Sequence, residues 1–152
     1  MKYTILKDSR EKLGWAWSPD DFVQEMRTTN LKSGDYSLLG YENIISIERK
    51  GCINEFAQNL IQDRFLRELE RLEQISYPFI ILEFTFRDLL GYPQTSHLPP
   101  KVRSKIRITG KFLLKKFIEL QCKFKTKIIF AGGCGKEIAI AIFKQVINET
   151  RD

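Results

Sequence analysis

Residues 31–50 read LKSGDYSLLGYENIISIERK. Apolar and β-branched pieces are broken by Ser33-Gly34-Asp35 and again from Gly40 to Asn43, a pattern that predicts a hairpin or meander. On the closing strand a period of two puts Ile45, Ile47 and Arg49 on one face and Ser46, Glu48 and Lys50 on the other. Asp35, on the preceding arm, can then meet Glu48 across the hairpin. Two carboxylates with water form a hard-oxygen site suited to Mg²⁺, whose shell is completed by water and phosphate. An ammonium beside it, Lys50, can orient an attacking water and offset charge in a phosphoryl-transfer transition state. Glu-x-Lys alone is common and usually marks a solvated strand edge. Its weight here comes from the order around it: Gly-Asp in a turn, a β-rich strand, then a long helix carrying arginines.

Working outward, residues 2–8 alternate loosely and end in Asp8-Ser9-Arg10-Glu11, as a strand running into a polar loop would. Ser18-Pro19-Asp20-Asp21 reads as a helix start, with Phe22, Val23 and Met26 as its apolar side and its end before Asn30. From Asn54 to Gln74, Phe56, Leu60, Phe65, Leu69 and Leu72 predict one long helix. Phe79 to Phe84 is a continuous apolar run of strand length, expected to be buried on both faces. A breaker-rich loop, Gly91 through Pro100, follows as a candidate flap. Helical spacing returns from Val102 to Phe124, then a strand over 127–131, a Gly132–Gly135 turn and a last helix over 136–148. The order β-α-β-β-α-β-α-β-α predicts one α/β domain spanning residues 1–152, a mixed central sheet flanked by helices.

The chain has 152 residues, 43% apolar and 29% charged, ordinary proportions for a globular domain, which exclude a disordered or collagen-like chain. The formal net charge of +6 is unevenly placed. Between Lys101 and Lys127 ten Lys/Arg stand against one acid, Glu119, while the rest of the chain is net acidic. Such a basic face suits a polyanion, with Lys101, Arg103, Lys105, Arg107 and Lys111 as candidate phosphate contacts. Cys52, Cys122 and Cys134 are odd in number and form no CxxC or Cys/His pattern, which points to reduced thiols and against a zinc site. Charge interrupts the N-terminal apolar run too early for a signal peptide, so a cytoplasmic protein without a membrane span is expected.

The run Gly34-Asp35, then Ile47-Glu48-Arg49-Lys50, resembles the GD…ERK signature of the XPF/Hef nuclease-domain family, a branch of the restriction-endonuclease-like PD-(D/E)XK superfamily. Asp8-Ser9-Arg10-Glu11 is similar to that family's first-strand acidic motif. Asp63-Arg64-Phe65 to Glu70-Arg71-Leu72 resembles its arginine-rich helix. The resemblance implies a restriction-endonuclease-like fold and a Mg²⁺-dependent endonuclease, Mn²⁺ being an alternative metal, that cuts branched or structured DNA. It implies Asp35 and Glu48 as metal ligands with Asp8 as a further acid, Lys50 as catalytic lysine, and Arg49 as a supporting or phosphate-contacting residue. Arg10, Arg64, Arg67 and Arg71 become candidate DNA contacts. The family's last acid, in ERKxxxD, falls here on Asn54, with Glu55 next, so Glu55 is the candidate replacement. A homodimer is implied, with the apolar sides of the last two helices as candidate surfaces. This sequence shows no tandem helix-hairpin-helix module, so junction recognition is expected from this domain, its dimer or a separate protein.

Other readings stand beside these. The arginines of the long helix could instead form i,i+3 and i,i+4 pairs, such as Arg67 with Glu70. A basic amphipathic segment also suits a membrane surface, a reading the nuclease context disfavours. Gly132-Gly133-Cys134-Gly135-Lys136 is not a P-loop, because Phe130 stands where its first glycine belongs and Glu137 replaces Ser/Thr. Trp15 and Trp17 suit core or dimer packing better than base stacking, and His97, the one histidine, suits a lone surface position better than a flap contact to DNA. Asn54 keeps open a second function class, a non-catalytic DNA- or partner-binding module on a nuclease fold.

Overall fold

A computed structural model describes residues 1–151. Six strands, β1 (Tyr3–Asp8), β2 (Val23–Thr29), β3 (Tyr36–Leu38), β4 (Ile45–Lys50), β5 (Tyr77–Leu82) and β6 (Lys127–Phe130), pair in the order β2-β1-β3-β4-β5-β6. The sheet is mixed: β3 runs antiparallel to both β1 and β4, while the β1–β2, β4–β5 and β5–β6 pairs are parallel. Six helices flank it, α1 (Ile53–Asn59), α2 (Asp63–Leu72), α3 (Phe86–Leu90), α4 (Pro100–Arg103), α5 (Gly110–Lys123) and α6 (Gly135–Thr150).

Strand β5 shows why both faces are covered. Phe79 and Ile81 pack on one side with Ile5, Tyr36 and Ile47, under the α6 stripe Ala139, Ile142, Phe143, Val146 and Ile147. Those α6 positions recur at i, i+3, i+4, i+7 and i+8, one face of a helix. Ile80 and Leu82 point the other way, into Phe56, Phe65 and Leu69 of α1 and α2 and Leu113 and Leu120 of α5. The expected α/β architecture is therefore present, with the β-rich 31–50 segment as β3 and β4.

Four local expectations are corrected. The helix expected at 19–30 is instead strand β2, paired in parallel with β1. Asp20 does not cap a helix: its Oδ1 accepts the Phe22 and Val23 N–H groups at 2.8 and 2.7 Å, an Asx turn leading into the strand. The connection from β1 to β2 has no helix and packs through Trp15, which is buried, its N–H donating to the Tyr36 hydroxyl at 2.8 Å. The helix expected over 54–74 is two helices. A stripe continued from Phe56 and Leu60 arrives at Asp63 and Arg64, so the chain breaks at 60–62 to bring Phe65, Leu69 and Leu72 inward. Between β5 and the loop expected from Gly91, where no element is expected, a Thr85/Asp88 capping box starts α3. The basic segment is not one helix either. It divides into α4 and α5, with Thr109 capping α5 by accepting the Phe112 N–H at 3.2 Å. Gly110 lets α5 start against the end of α3, where a Cβ would collide with the Leu90 carbonyl.

Candidate active site

Strand register assembles the site. Lys7 pairs with Tyr36, and Tyr36 with Ile47. One residue further along each strand lie Asp8, Asp35 and Glu48, a row across three neighbouring strands. The row is closed by the Asp8 N–H donating to the Asp35 carbonyl at 2.8 Å. Partners in such a row project to the same face of the sheet, here the face covered by α1 and α2. Gly34, at φ +74°, makes the turn that delivers Asp35, and a Cβ there would strike the Ser46 hydroxyl. Asp35 Oδ2 accepts the Arg49 N–H at 2.7 Å, which fixes its carboxylate against β4.

Lys50 is 6% exposed, its ammonium 3.6 Å from Glu48, 3.9 Å from Glu68 of α2 and over the Phe65 ring. Burial pushes the Asp35 carboxyl above its ordinary value, against the Arg49 N–H and Lys50, which pull it down. Burial first, and then the charge of Asp35, hold Glu48 well above the carboxylate range. Asp8 behaves differently. Burial would raise it, but hydrogen bonds from Arg10 and from the Leu31 and Arg10 amides outweigh that and hold it low. Its oxygens accept Arg10 Nε at 2.8 Å and the Leu31 N–H at 2.8 Å, so Asp8 staples the 30–31 turn to β1 as well as lining the site.

Arg49 points to the opposite face, as period two requires. Its Nε donates to Glu83 beyond β5, Nη1 lies 3.6 Å from Glu11, and its guanidinium sits over Trp15. Trp15 Nε1 also donates to Glu83 at 3.3 Å. Arg49 thus braces the end of β4 between the β1–β2 connection and β5. Burial, then the charge of Asp35, raises Glu11 to about 7.

These groups enclose a cavity of about 350 Å³ lined by acids Asp8, Glu11, Asp35, Glu48, Glu55 and Glu68 and by cations that include Lys50. Glu55 lines it, with Oε1 accepting the Gly51 N–H at 3.2 Å. Asn54 turns away, its Oδ1 accepting the Tyr92 hydroxyl at 2.7 Å. Of the candidate DNA contacts, Arg10 and Arg71 line the cavity. Arg64, Arg67, Lys101, Arg103, Lys105, Arg107 and Lys111 do not. No ion pair engages Arg64, Arg67 or Arg71 among the described residues, and Glu73 instead accepts the Lys125 N–H at 2.9 Å. Arg103 Nη1 donates to the Gln94 carbonyl at 3.2 Å.

The donor set fits a divalent metal held in part by protein. Asp35 and Glu48 offer oxygens that repel one another, and Glu68 Oε2 is buried without a hydrogen-bond partner. Among the described residues no three His, Cys, Asp or Glu side chains converge as a closed cage. Mg²⁺ needs none, being commonly held by one or two carboxylates with water and substrate phosphate. Sequence reading missed Glu83, Glu68 and Lys32 as members of the site. Glu11 stands in the first motif, where nothing local marks its contact with Arg49. Glu68 was legible as the residue one turn before Leu72 on the arginine-bearing helix, whereas Glu83 and Lys32 carry no local signal.

No helix among the described residues is long and apolar enough to cross a membrane, and all three cysteines are free and exposed. Comparison with family models matches residues 8–133 to the ERCC4 domain. Among solved structures, "XPF from Aeropyrum pernix" matches with a TM-score of 0.60 and 19% identity, over 97% of this chain and 65% of that one. "XPF from Aeropyrum pernix, complex with DNA" matches with a TM-score of 0.60 and 19% identity, over 98% and 66%. This chain therefore spans just under two thirds of the length of those relatives. No curated protein matches.

Proposed function

The chain belongs to the ERCC4 domain family, and from that premise we propose that it is a metal-dependent DNA endonuclease that hydrolyses phosphodiester bonds in branched or structured DNA. The row Asp8–Asp35–Glu48 with buried Lys50 carries this reading. Asp35 and Glu48 would hold Mg²⁺, or Mn²⁺ in its stead, with Asp8 or Glu55 as further acids. When bound, the metal supplies Lewis acidity toward the phosphoryl oxygen.

The chain's own residues do the rest. Lys50, fixed between Glu48 and Glu68 on the wall of the cavity, would orient water there and offset developing charge. Arg49, held by Glu11 and Glu83, keeps its own backbone N–H on Asp35 and so keeps that carboxylate aimed. Arg10, Lys32 and Arg71 on the cavity wall would receive the phosphates beside the cut. The exposed cations of α4 and α5, outside the cavity, would track a longer DNA arm. Glu55 on the cavity wall weighs against a non-catalytic module, since an acid remains one residue from the place of Asn54.

A homodimer of single nuclease domains is part of the proposal. Its candidate surfaces are the groove of Leu114, Ile118 and Cys122 on α5 and that of Ile138, Ala141 and Ile142 on α6. Charging the first surface by Ile118→Glu is expected to yield a monomer by sedimentation. An unchanged dimer would remove that surface. The proposed activity is tested by nicking assays on fork, junction and linear DNA. Loss of product in Asp35→Asn and Lys50→Met, with DNA binding retained, is expected. Undiminished product in either variant would overturn the assignment.

A further inference from the structure

We propose that a second cavity beside the first accepts the nucleobase of an unpaired nucleotide next to the cut, an inference that rests on reading the first cavity as a DNA-cleaving site. The second cavity measures about 280 Å³. It is bounded by 51–54 at the head of α1, Glu83 and Phe84 after β5, Asp88 of α3, and the 95–98 loop.

Position is the first support. β4 and β5 are parallel, and both cavities lie beyond their carboxyl ends, the edge at which α/β sheets receive ligands. Only the first turn of α1 divides them. Consecutive helical residues point about 100° apart, so Glu55 serves the first cavity and Asn54 the second. A DNA strand whose phosphate reached Asp35 and Glu48 would therefore run beside the second opening.

Charge is the second. The wall of the first cavity carries Arg10, Lys32 and Arg71, whereas no Lys or Arg lines the second. Its acids are already engaged, Glu83 by Arg49 and Trp15, and Asp88 by the Thr85 N–H at 2.8 Å. A phosphate has no counter-charge there. A neutral, flat group with hydrogen-bonding edges does fit, because Ile53, Phe84 and Leu98 give apolar wall.

Chemistry is the third. Thr95 and Ser96 spend their hydroxyls on the Asp88 and Pro93 carbonyls. The Tyr92 hydroxyl donates to Asn54 Oδ1 and fixes that amide, leaving Nδ2 as a donor on the cavity wall. His97 is exposed on the loop and offers a ring for stacking. A paired base hides the edge that Asn54 would read, so only an unpaired nucleotide enters, and entry is cheapest where the DNA is already unpaired. This pocket would therefore contribute to a preference for branched substrates.

The test uses forked DNA with 2-aminopurine as the unpaired nucleotide beside the junction, a control with the probe in a paired arm, and a fork abasic at the same position. Wild-type protein and His97→Ala and Asn54→Leu variants are titrated in EDTA, with circular dichroism to verify folding. Base stacking by aromatic side chains is worth about 1–3 kcal/mol, so the abasic fork should bind about 5- to 150-fold more weakly to wild type. That ratio should fall toward one in both variants, and bound fluorescence should change only for the unpaired probe. Because His97 is exposed, its variant keeps the test valid if Asn54→Leu misfolds. Equal binding of intact and abasic forks overturns the pocket while leaving the cleavage site standing. Failure to bind any fork overturns both.

Discussion

Replacing Glu48 with Gln should stabilise the metal-free protein while abolishing cleavage. The Glu48 carboxyl is enclosed, lies next to Asp35 and is held far above its normal titration range by burial and by that neighbour's charge. Ionising Glu48 in that setting therefore costs the fold. An amide removes the cost and keeps the shape. The loss on the other side is small, because Lys50 sits 3.6 Å from Glu48 and retains Glu68 at 3.9 Å. The net gain should be about 1–2 kcal/mol, or about 2–8 °C in Tm for a chain of this length. Thermal melts in EDTA and in saturating Mg²⁺ read this directly. In EDTA the variant should melt higher. In Mg²⁺ wild type should rise by about 3 kcal/mol of binding free energy at a hundredfold excess over Kd, and the order should invert. A variant less stable than wild type in EDTA, or equal Mg²⁺ shifts in both proteins, would refute the account of paired, metal-collecting carboxylates.

Further outcomes follow from the same geometry. Glu11 titrates at about 7 in the folded chain, above its usual value, so the stability it confers when protonated is full below about 4.5 and lost as pH rises to about 7. Glu11→Gln should therefore gain on wild type across that window, by about 2–3 kcal/mol between its ends, in urea unfolding in EDTA. A constant difference would contradict the burial of that carboxyl. Lys50→Met leaves Glu48 and Glu68 without their cation and should cost about 3 kcal/mol in EDTA, measured by the same unfolding. No loss there would mean that Lys50 does not hold the acids together. Arg71→Ala should weaken DNA binding alike for all sequences and lower the slope of log K against log salt by about 1; an unchanged slope would remove Arg71 from the phosphate path. Leu69→Ala, fully buried between α2 and the sheet, should cost about 2–5 kcal/mol in urea unfolding.

The site was legible wherever its residues are joined by strand geometry. Glu48 and Lys50 share a face by period two, and Asp35 is the hairpin partner of Glu48, so one turn and one strand suffice to infer the cluster. Glu83 was not legible, because it reaches Arg49 only once β5 pairs with β4. Polar turn residues misled at the β1–β2 connection. Ser18 to Asp21 read as a helix cap, yet Asp20 uses its side chain to close an Asx turn, and parallel pairing with β1 then overrides the helical spacing of Phe22, Val23 and Met26. Over 54–74 the apolar positions fit a single helix only if the slip between Leu60 and Phe65 is ignored, and that slip is the break between α1 and α2. The Thr85-x-x-Asp88 box was a readable start for α3. The basic stretch was visible as charge, but Thr109 and Gly110 start a second helix within it, so its cations are spread over α4, α5 and the segments beside them, outside the cavity.

Cleavage of a labelled fork by purified wild-type protein and by Glu48→Gln, each in Mg²⁺ and in EDTA, tests the central claim most directly. Product from wild type in Mg²⁺ alone, with fork binding intact in Glu48→Gln, is the predicted result. Product in EDTA, product from Glu48→Gln at the wild-type rate, or fork binding by wild type with no product in Mg²⁺ would contradict it.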